Sequence, residues 1–471
     1  MKTNDNFLKT VRLLGLGSTL LLTGNTAYAL EKPKTMEEMW KIIEAQQHQI
    51  DEMKVKLAET PKEDEPASTA TNNVKKLERK TDVLSQEVEK LRTNLAIPEE
   101  AKYKSAYGLG PAASKIYQIG KGLSIGGYGE AMYQNYVGDK AANNTNNADL
   151  ERVVLYAGYK FSDSILFNSE IEFEHATTGE GAEVKGEVSV EFAALDFFID
   201  PLANIRTGLV LMPMGFINQI HEPPFFFGNN RPEVERRIIP STWREMGVGL
   251  FGQITPSLTY TTYLVNGLDA GGFRSSGLRD GRGVGSEAKS EDFGYVGRLD
   301  YTPLALTGVT IGGSAYVGNS GQNQIYAGTK ADVFTQLYEG HLQWKYRGLE
   351  FRTLGSWGHI DNADILSVAA GQTIGSENYG WYSEIGYDVM PLLIPASLQY
   401  LAPFFRYEKM DTIAKAPNGF ADDLRQDRQI YQFGLQYKPI PNVVIKADYR
   451  NFSAKQGNLP DDFNLGFGFI F

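Results

Sequence analysis

The chemistry available to this chain lies in its charged side chains. Residues 214–245, MGFINQIHEPPFFFGNNRPEVERRIIPSTWRE, hold Arg231, Arg236, Arg237 and Arg244 beside Glu222, Glu233, Glu235 and Glu245. Guanidinium groups grip carboxylate and phosphate oxygens bidentately, so four of them in one loop could select anions. The four carboxylates nominally cancel them. Catalysis is poorly served. The 471 residues include five His (His48, His175, His221, His341 and His359) and no Cys. Among these, His341 beside Glu339 is the one expected on a strand and facing inward. No Ser-His-Asp spacing or H-E-x-x-H occurs, and DGRGVG (280–285) lacks the strand-to-helix context of a phosphate loop. The expectation is a non-enzyme without cofactor or metal. A net charge of −11 argues against nucleic acid as a partner, because neutralising phosphates needs a basic surface.

Those charges need a scaffold. From about residue 120 the chain alternates apolar with polar or Gly, as in RVVLYAGYKF (152–161), SILFNSEIEF (164–173) and NVVIKADYR (442–450). Such alternation means strands with one apolar and one polar face. About sixteen segments start near 123, 151, 164, 187, 203, 246, 257, 293, 309, 332, 348, 379, 396, 428, 442 and 462. Connections at 162–163, 200–201, 255–256, 347–348 and 439–441 are tight, and those at 303–308 and 391–395 slightly longer. The intervening ones, 138–150, 175–186, 214–245, 267–292, 318–331, 359–378, 410–427 and 454–461, are long and polar. Short–long alternation over an even strand count predicts an all-β fold, a 16-stranded antiparallel transmembrane β-barrel.

In the last segment Phe463, Leu465, Phe467, Phe469 and Phe471 take every second position. The solvent for that face is outer-membrane lipid, where a closed barrel satisfies every backbone group. Pairing this strand with 123–137 removes both edges. Tyr159, Phe161, Phe351, Trp357, Tyr379, Trp381, Tyr437 and Phe471 fall on the outward parity near strand ends, as interfacial girdles require. A mean hydropathy of −0.31 and the lack of any 18-residue apolar run exclude transmembrane helices.

A ring of this size is too wide for side chains alone to fill, which leaves an aqueous channel with loop 214–245 as its constriction. The alternative seats that loop on the rim, with PPFFFG against a neighbouring subunit. Parity turns Glu170, Glu172, Glu174, Glu187 and Glu191 inward on one side. It turns Lys345, Arg347, Arg352, Arg406, Arg428, Lys446 and Arg450 inward on the other. An acidic and a basic wall would face each other across water, a transverse field that passes small polar solutes. Bulges near Ala194 and Pro403 would shift that parity.

Ahead of the strands, Lys2, Lys9 and Arg12, the apolar run LLGLGSTLLL (13–22) and AYA (27–29) read as a secretory signal over 1–29, with the mature chain starting at Leu30. Residues 30–119 are expected to form a periplasmic coiled-coil region. Met36, Ile43, Ile50 and Leu57 make one heptad seam, and Leu77, Leu84 and Leu91 with Val74, Val88 and Leu95 another. The linker 58–73 between them carries Pro61 and Pro66. The barrel is assigned 120–471. The seams suit an oligomer clamp or a tether to the cell wall, and Val with Leu in the second block leans dimeric.

The run LVLMPMGF (209–216), followed by VERRIIPSTWREMGVGLFG (234–252), resembles the phosphate-selective porin O and P family over roughly 120–471. Pro213 and Gly215, Glu235 and Arg236, and Gly247 and Val248 carry the resemblance. The terminal aromatic strand is similar to the recognition signal of bacterial outer-membrane proteins. The resemblance implies a trimeric sixteen-stranded diffusion channel for small ions, with anion or phosphate passage. The residues themselves favour a general small-solute porin with a weak anion bias, since each loop Arg has a nominal Glu partner. A sugar-specific porin and an envelope tether anchored by its barrel are the alternatives.

Overall fold

The computed structural model describes residues 104–138, 144–177, 185–395 and 397–471. The chain divides into units 1–61 and 62–471, and every described residue belongs to the second. The signal segment, both heptad seams and the linker 58–73 lie outside the described residues.

Period-two alternation becomes strands where it was expected. They are β1 (Gly122–Val137), β2 (Asn147–Ser162), β3 (Ile165–Glu174), β4 (Val188–Asp200), β5 (Ala203–Leu211) and β6 (Arg244–Thr255). Next come β7 (Leu258–Asn266), β8 (Phe293–Tyr301), β9 (Val309–Asn319) and a small loop hairpin, β10 (Ile325–Tyr326) with β11 (Thr329–Lys330). The wall continues with β12 (Phe334–Tyr346), β13 (Leu349–Ile360), β14 (Glu377–Tyr387) and β15 (Tyr400–Lys415). It ends with β16 (Asp427–Ile440), β17 (Val443–Ala454) and β18 (Asp461–Ile470). Leaving out the loop hairpin, sixteen antiparallel strands form one closed barrel. Each starts within four residues of its predicted position. β18 closes on β1 from Tyr128↔Ile470 to Val137↔Asp461. Phe463, Leu465 and Phe467 are exposed on the outer face, while Asp462, Asn464 and Ile470 are buried inside.

Parity differs in three places. The β3–β4 register slips opposite Glu191 rather than at Ala194, so Glu191 and Phe192 both turn inward. β15 passes Pro403, which is exposed outward, without a break against Leu435. Glu187 precedes β4 and Arg347 sits in the β12–β13 turn, and both are exposed.

The lumen holds a hydrophobic core of its own. Met212, Met214, Val234, Ile238, Ile239 and Trp243 from the long loop pack on Val265, Val296, Leu337, Leu354 and Tyr382 of the wall. Each such fully buried side chain contributes roughly 1.5–3 kcal/mol, which orders the loop inside the ring. Phe226 and Phe227 of PPFFFG are buried there too, so they are not a subunit contact. Inward glycines make the room: a Cβ at Gly468 would run into Pro223, and one at Gly386 into Phe227.

Residues 104–119, expected in the coiled-coil region, are instead part of the barrel interior. Ala112 and Ala113 are buried in a cluster with Tyr128, Val154 and Tyr156 near the short-turn end. Asn168 donates to Ala113 O at 2.9 Å, and Tyr117 to Asp196 at 2.8 Å. Glu222 of the long loop accepts from the N–H groups of Ala112 and Ala113 at 3.0 and 3.2 Å. This contact couples the two lumen-filling segments.

Two outcomes follow. Replacing outward Phe467 with Arg should destabilise the lipid-inserted barrel by about 2–4 kcal/mol in equilibrium urea unfolding, whereas the neighbouring outward Phe471→Tyr should cost little. Burial lifts the Glu222 carboxyl to about 7 against the opposing pull of its two N–H donors. A carboxyl raised in the fold stabilises fully below its ordinary 4.5, and that contribution is lost as pH rises through about 7. The protection factors of the 104–119 amides, taken against the base-catalysed intrinsic rate at each pH, should therefore fall on the order of several-fold between pH 5 and pH 8. In Glu222→Gln they should stay level across that range.

Candidate functional site

The basic wall exists, and it grips the loop. Arg352 Nη2 donates to Phe225 O at 2.7 Å, and Arg406 Nη2 to Phe227 O at 2.6 Å. Arg406 also binds Glu384 at 2.9 Å and Asn230 O at 3.3 Å. Lys446 Nζ donates to Gly228 O at 2.8 Å and stands 3.7 Å from the Phe226 ring centroid. Three inward cations thus cradle the carbonyls of residues 225–230. Arg450 is held by Asp462 at 2.8 Å, and Lys345 stays beside Glu350 at 3.4 Å.

The acidic wall is occupied as well. Glu172 meets Arg152 at 3.2 Å, and Glu170 meets His221 of the loop at 3.0 Å. The two walls therefore do not face each other across open water, as parity alone implied. The loop lies between them, because its apolar core and its satisfied carbonyls outweigh the loss of hydration.

Nominal charge balance within the loop also fails. Arg236 and Arg237 both pair with Glu233, at 2.9 and 2.7 Å, and Arg244 leaves the loop for Glu191 at 2.7 Å. Glu235 is fully buried, taking the Tyr382 hydroxyl at 2.6 Å and the Ile217 N–H at 2.7 Å. Glu245 accepts from Trp243 Nε1 at 3.0 Å and Asn266 at 2.6 Å. Carboxylates go into internal structure, and arginines are left over.

The surplus surrounds a cavity of about 460 Å³ at the long-loop end, lined by Arg152, Arg231, Arg236, Arg237, Arg279, Arg428 and Arg450. Among the described residues Arg231, Arg279 and Arg428 form no ion pair, whereas the other four do. Nε and Nη2 of Arg231 are buried without a hydrogen-bond partner. Arg428 donates to the carbonyl of Arg425 at 2.8 Å.

Arg279 and Arg282 are functional residues that the sequence does not single out, since 267–292 reads as one of several long polar connections. That loop folds over the mouth: Arg279 donates to Ser241 O, and Arg282 to Thr242 O at 2.8 Å. Burial together with Arg282, Arg231 and Arg236 presses Arg279 down to about 9. Burial and Arg244 press Arg282 to about 10. Both stay protonated at neutral pH. Burial alone would raise Glu233, but Arg236, Arg237 and Arg450 hold it well below the usual carboxylate range. Arg152 was also missed, although its inward position on β2 was readable from parity.

A second cavity, of about 700 Å³, opens at the short-turn end between Tyr107, Phe198, Asp200, Arg298 and Asp300. It shares no lining residue with the first. His341 is buried behind it, 2.9 Å from both Glu339 and Asp300.

No protein-family model matches the chain. An uncharacterized protein of Aquifex aeolicus (strain VF5) is 37% identical over 383 residues, covering 78% of this chain and 84% of that protein. Among solved structures, OmpF of Salmonella typhi in complex with daunomycin matches 76% of this chain and 99% of its own, at 11% identity and a TM-score of 0.51. An anion-selective porin from Comamonas acidovorans matches 74% of this chain and 99% of its own, at 9% identity and a TM-score of 0.48. At the identity and coverage of the bacterial relative, this chain belongs to the family of the Aquifex aeolicus protein, and its fold is that of an outer-membrane porin barrel.

Proposed function

We propose that the protein is an outer-membrane porin for passive diffusion of small hydrophilic solutes, with an anion preference set at its long-loop mouth. The observation that carries this reading is the trio Arg231, Arg279 and Arg428, unpaired around one cavity of a lipid-facing barrel. An anion arriving there meets guanidinium donors in a low-dielectric funnel, while cations are repelled. In the usual barrel orientation the long loops face outward, so the basic mouth is external and residues 104–121 sit at the periplasmic end.

Glu130, Glu151, Glu174, Glu233 and Asp462 line the same cavity, which favours passage of anions over tight retention of phosphate. Arg352, Arg406 and Lys446 position the constriction loop, as does Glu235 from within it. Arg236, Arg237, Arg244 and Arg450 shape the mouth through their carboxylate partners, with Glu170 and Glu172 anchoring the opposite side. Lys345 belongs to the periplasmic end. We assign a homotrimer on the family resemblance, with the heptad seams as periplasmic clamps.

One observation favours a second reading, a barrel that anchors a periplasmic tether. The loop and residues 104–119 pack between two cavities that share no lining residue. Planar-bilayer recording separates the two. In a KCl gradient the full-length protein should conduct with a reversal potential on the chloride side. The triple variant Arg231→Gln, Arg279→Gln, Arg428→Gln should lower the chloride-to-potassium permeability ratio on the order of tenfold. A folded protein that carries no current would support the anchor.

A further inference from the structure

Where the loop meets the acidic wall, three donor groups converge that diffusion does not require. Glu170 on β3, Glu191 on β4 and His221 in the loop are 0%, 1% and 2% exposed. One ligand atom from each lies within 4.8 Å of the others. His221 Nε2 is 3.0 Å from Glu170 Oε1 and 3.6 Å from Glu191 Oε2. The bulge in β4 turns Glu191 into this group.

Of the surrounding cations Arg231 acts on His221 through space without forming an ion pair with the group, and two others are engaged. Arg152 takes Glu172 at 3.2 Å, and Arg244 takes the other oxygen of Glu191 at 2.7 Å. Among the described residues Glu170 has no guanidinium partner. Glu170 Oε2, Glu191 Oε2 and His221 Nδ1 are all buried without a hydrogen bond. Dry carboxylate oxygens of this kind are unfavourable unless a cation meets them.

We propose that Glu170, Glu191 and His221 bind one divalent transition-metal ion of the zinc class, which staples the long loop to strands β3 and β4. One imidazole nitrogen with two carboxylate oxygens suits zinc, cobalt or nickel, whereas magnesium and calcium prefer oxygen alone. Bonds of about 2.0–2.1 Å in a tetrahedral site place donor atoms roughly 3.3 Å apart, so the separations of 3.0 and 3.6 Å from His221 Nε2 need only small side-chain rotations to admit the ion. The site is distinct from the basic mouth and does not depend on the channel conducting.

The test uses full-length protein in detergent, stripped with EDTA and titrated with Zn²⁺ by calorimetry and with Co²⁺ by visible absorption. The expected result is one ion per barrel, a cobalt ligand-field band and a higher unfolding temperature with zinc. His221→Gln and Glu170→Gln should weaken binding on the order of 100-fold. His341→Gln, in the other buried His–carboxylate group, should leave it unchanged. If His221→Gln fails to fold by circular dichroism, Glu191→Gln decides. Wild-type protein that takes up neither ion, or a folded ligand variant that binds as wild type does, overturns the proposal. A protonated His221 would then be the counter-ion of Glu170.

Discussion

Hydrogen bonds from three buried cations to the carbonyls of residues 225–230 are what the interior of this barrel depends on. Arg352, Arg406 and Lys446 project from β13, β15 and β17 and hold a backbone that would otherwise carry unsatisfied polar groups in a dry space. With the backbone satisfied, Met212, Met214, Ile238, Ile239 and Trp243 can form a core within the ring. The barrel is then apolar on both sides of part of its wall, facing lipid outside and the loop inside.

This arrangement redistributes charge. Cations at mid-height serve the loop, and the loop's own acids serve its internal hydrogen bonds. Arginines accumulate at the long-loop mouth, where Arg231, Arg279 and Arg428 lack carboxylate partners among the described residues. The surplus is local, since the chain as a whole carries −11. A net charge says little about the field at a mouth of this kind. At the short-turn end residues 104–119, latched to Glu222, narrow the lumen and line the second cavity.

Strands were the most legible part of the molecule, because inside and outside alternate with period two and lipid tolerates no error in that alternation. Phe463, Leu465 and Phe467 announce the outer face of β18 as plainly as Lys446 and Arg450 announce the inner face of β17. Insertion of the long loop was legible from its length and its aromatic and proline content. Its partners were not. Which Glu meets which Arg depends on where the folded loop lies against strands far away in sequence, so Arg244 pairs with Glu191 rather than with a loop acid. The inward segment 104–119 was illegible for another reason: its one regular element is a six-residue 3₁₀ turn, Ala113–Gln118, too short to show a period. The bulge in β4, expected near Ala194, lies three residues earlier at Glu191, since one extra residue leaves no exact mark in composition.

Insertion of the loop is the claim on which the rest stands, and the absence of Cys makes it directly measurable. Asn229 lies against Gly466 of β18, where an added Cβ would meet the Asn229 side chain, so a pair of cysteines at 229 and 466 falls within disulfide reach. The measurement is thiol titration and electrophoretic mobility of folded Asn229→Cys/Gly466→Cys protein after mild oxidation. Loop insertion predicts loss of both thiols within one chain and a mobility shift reversed by reductant. A folded barrel whose two thiols remain free to alkylate would place the loop outside the lumen and contradict the account.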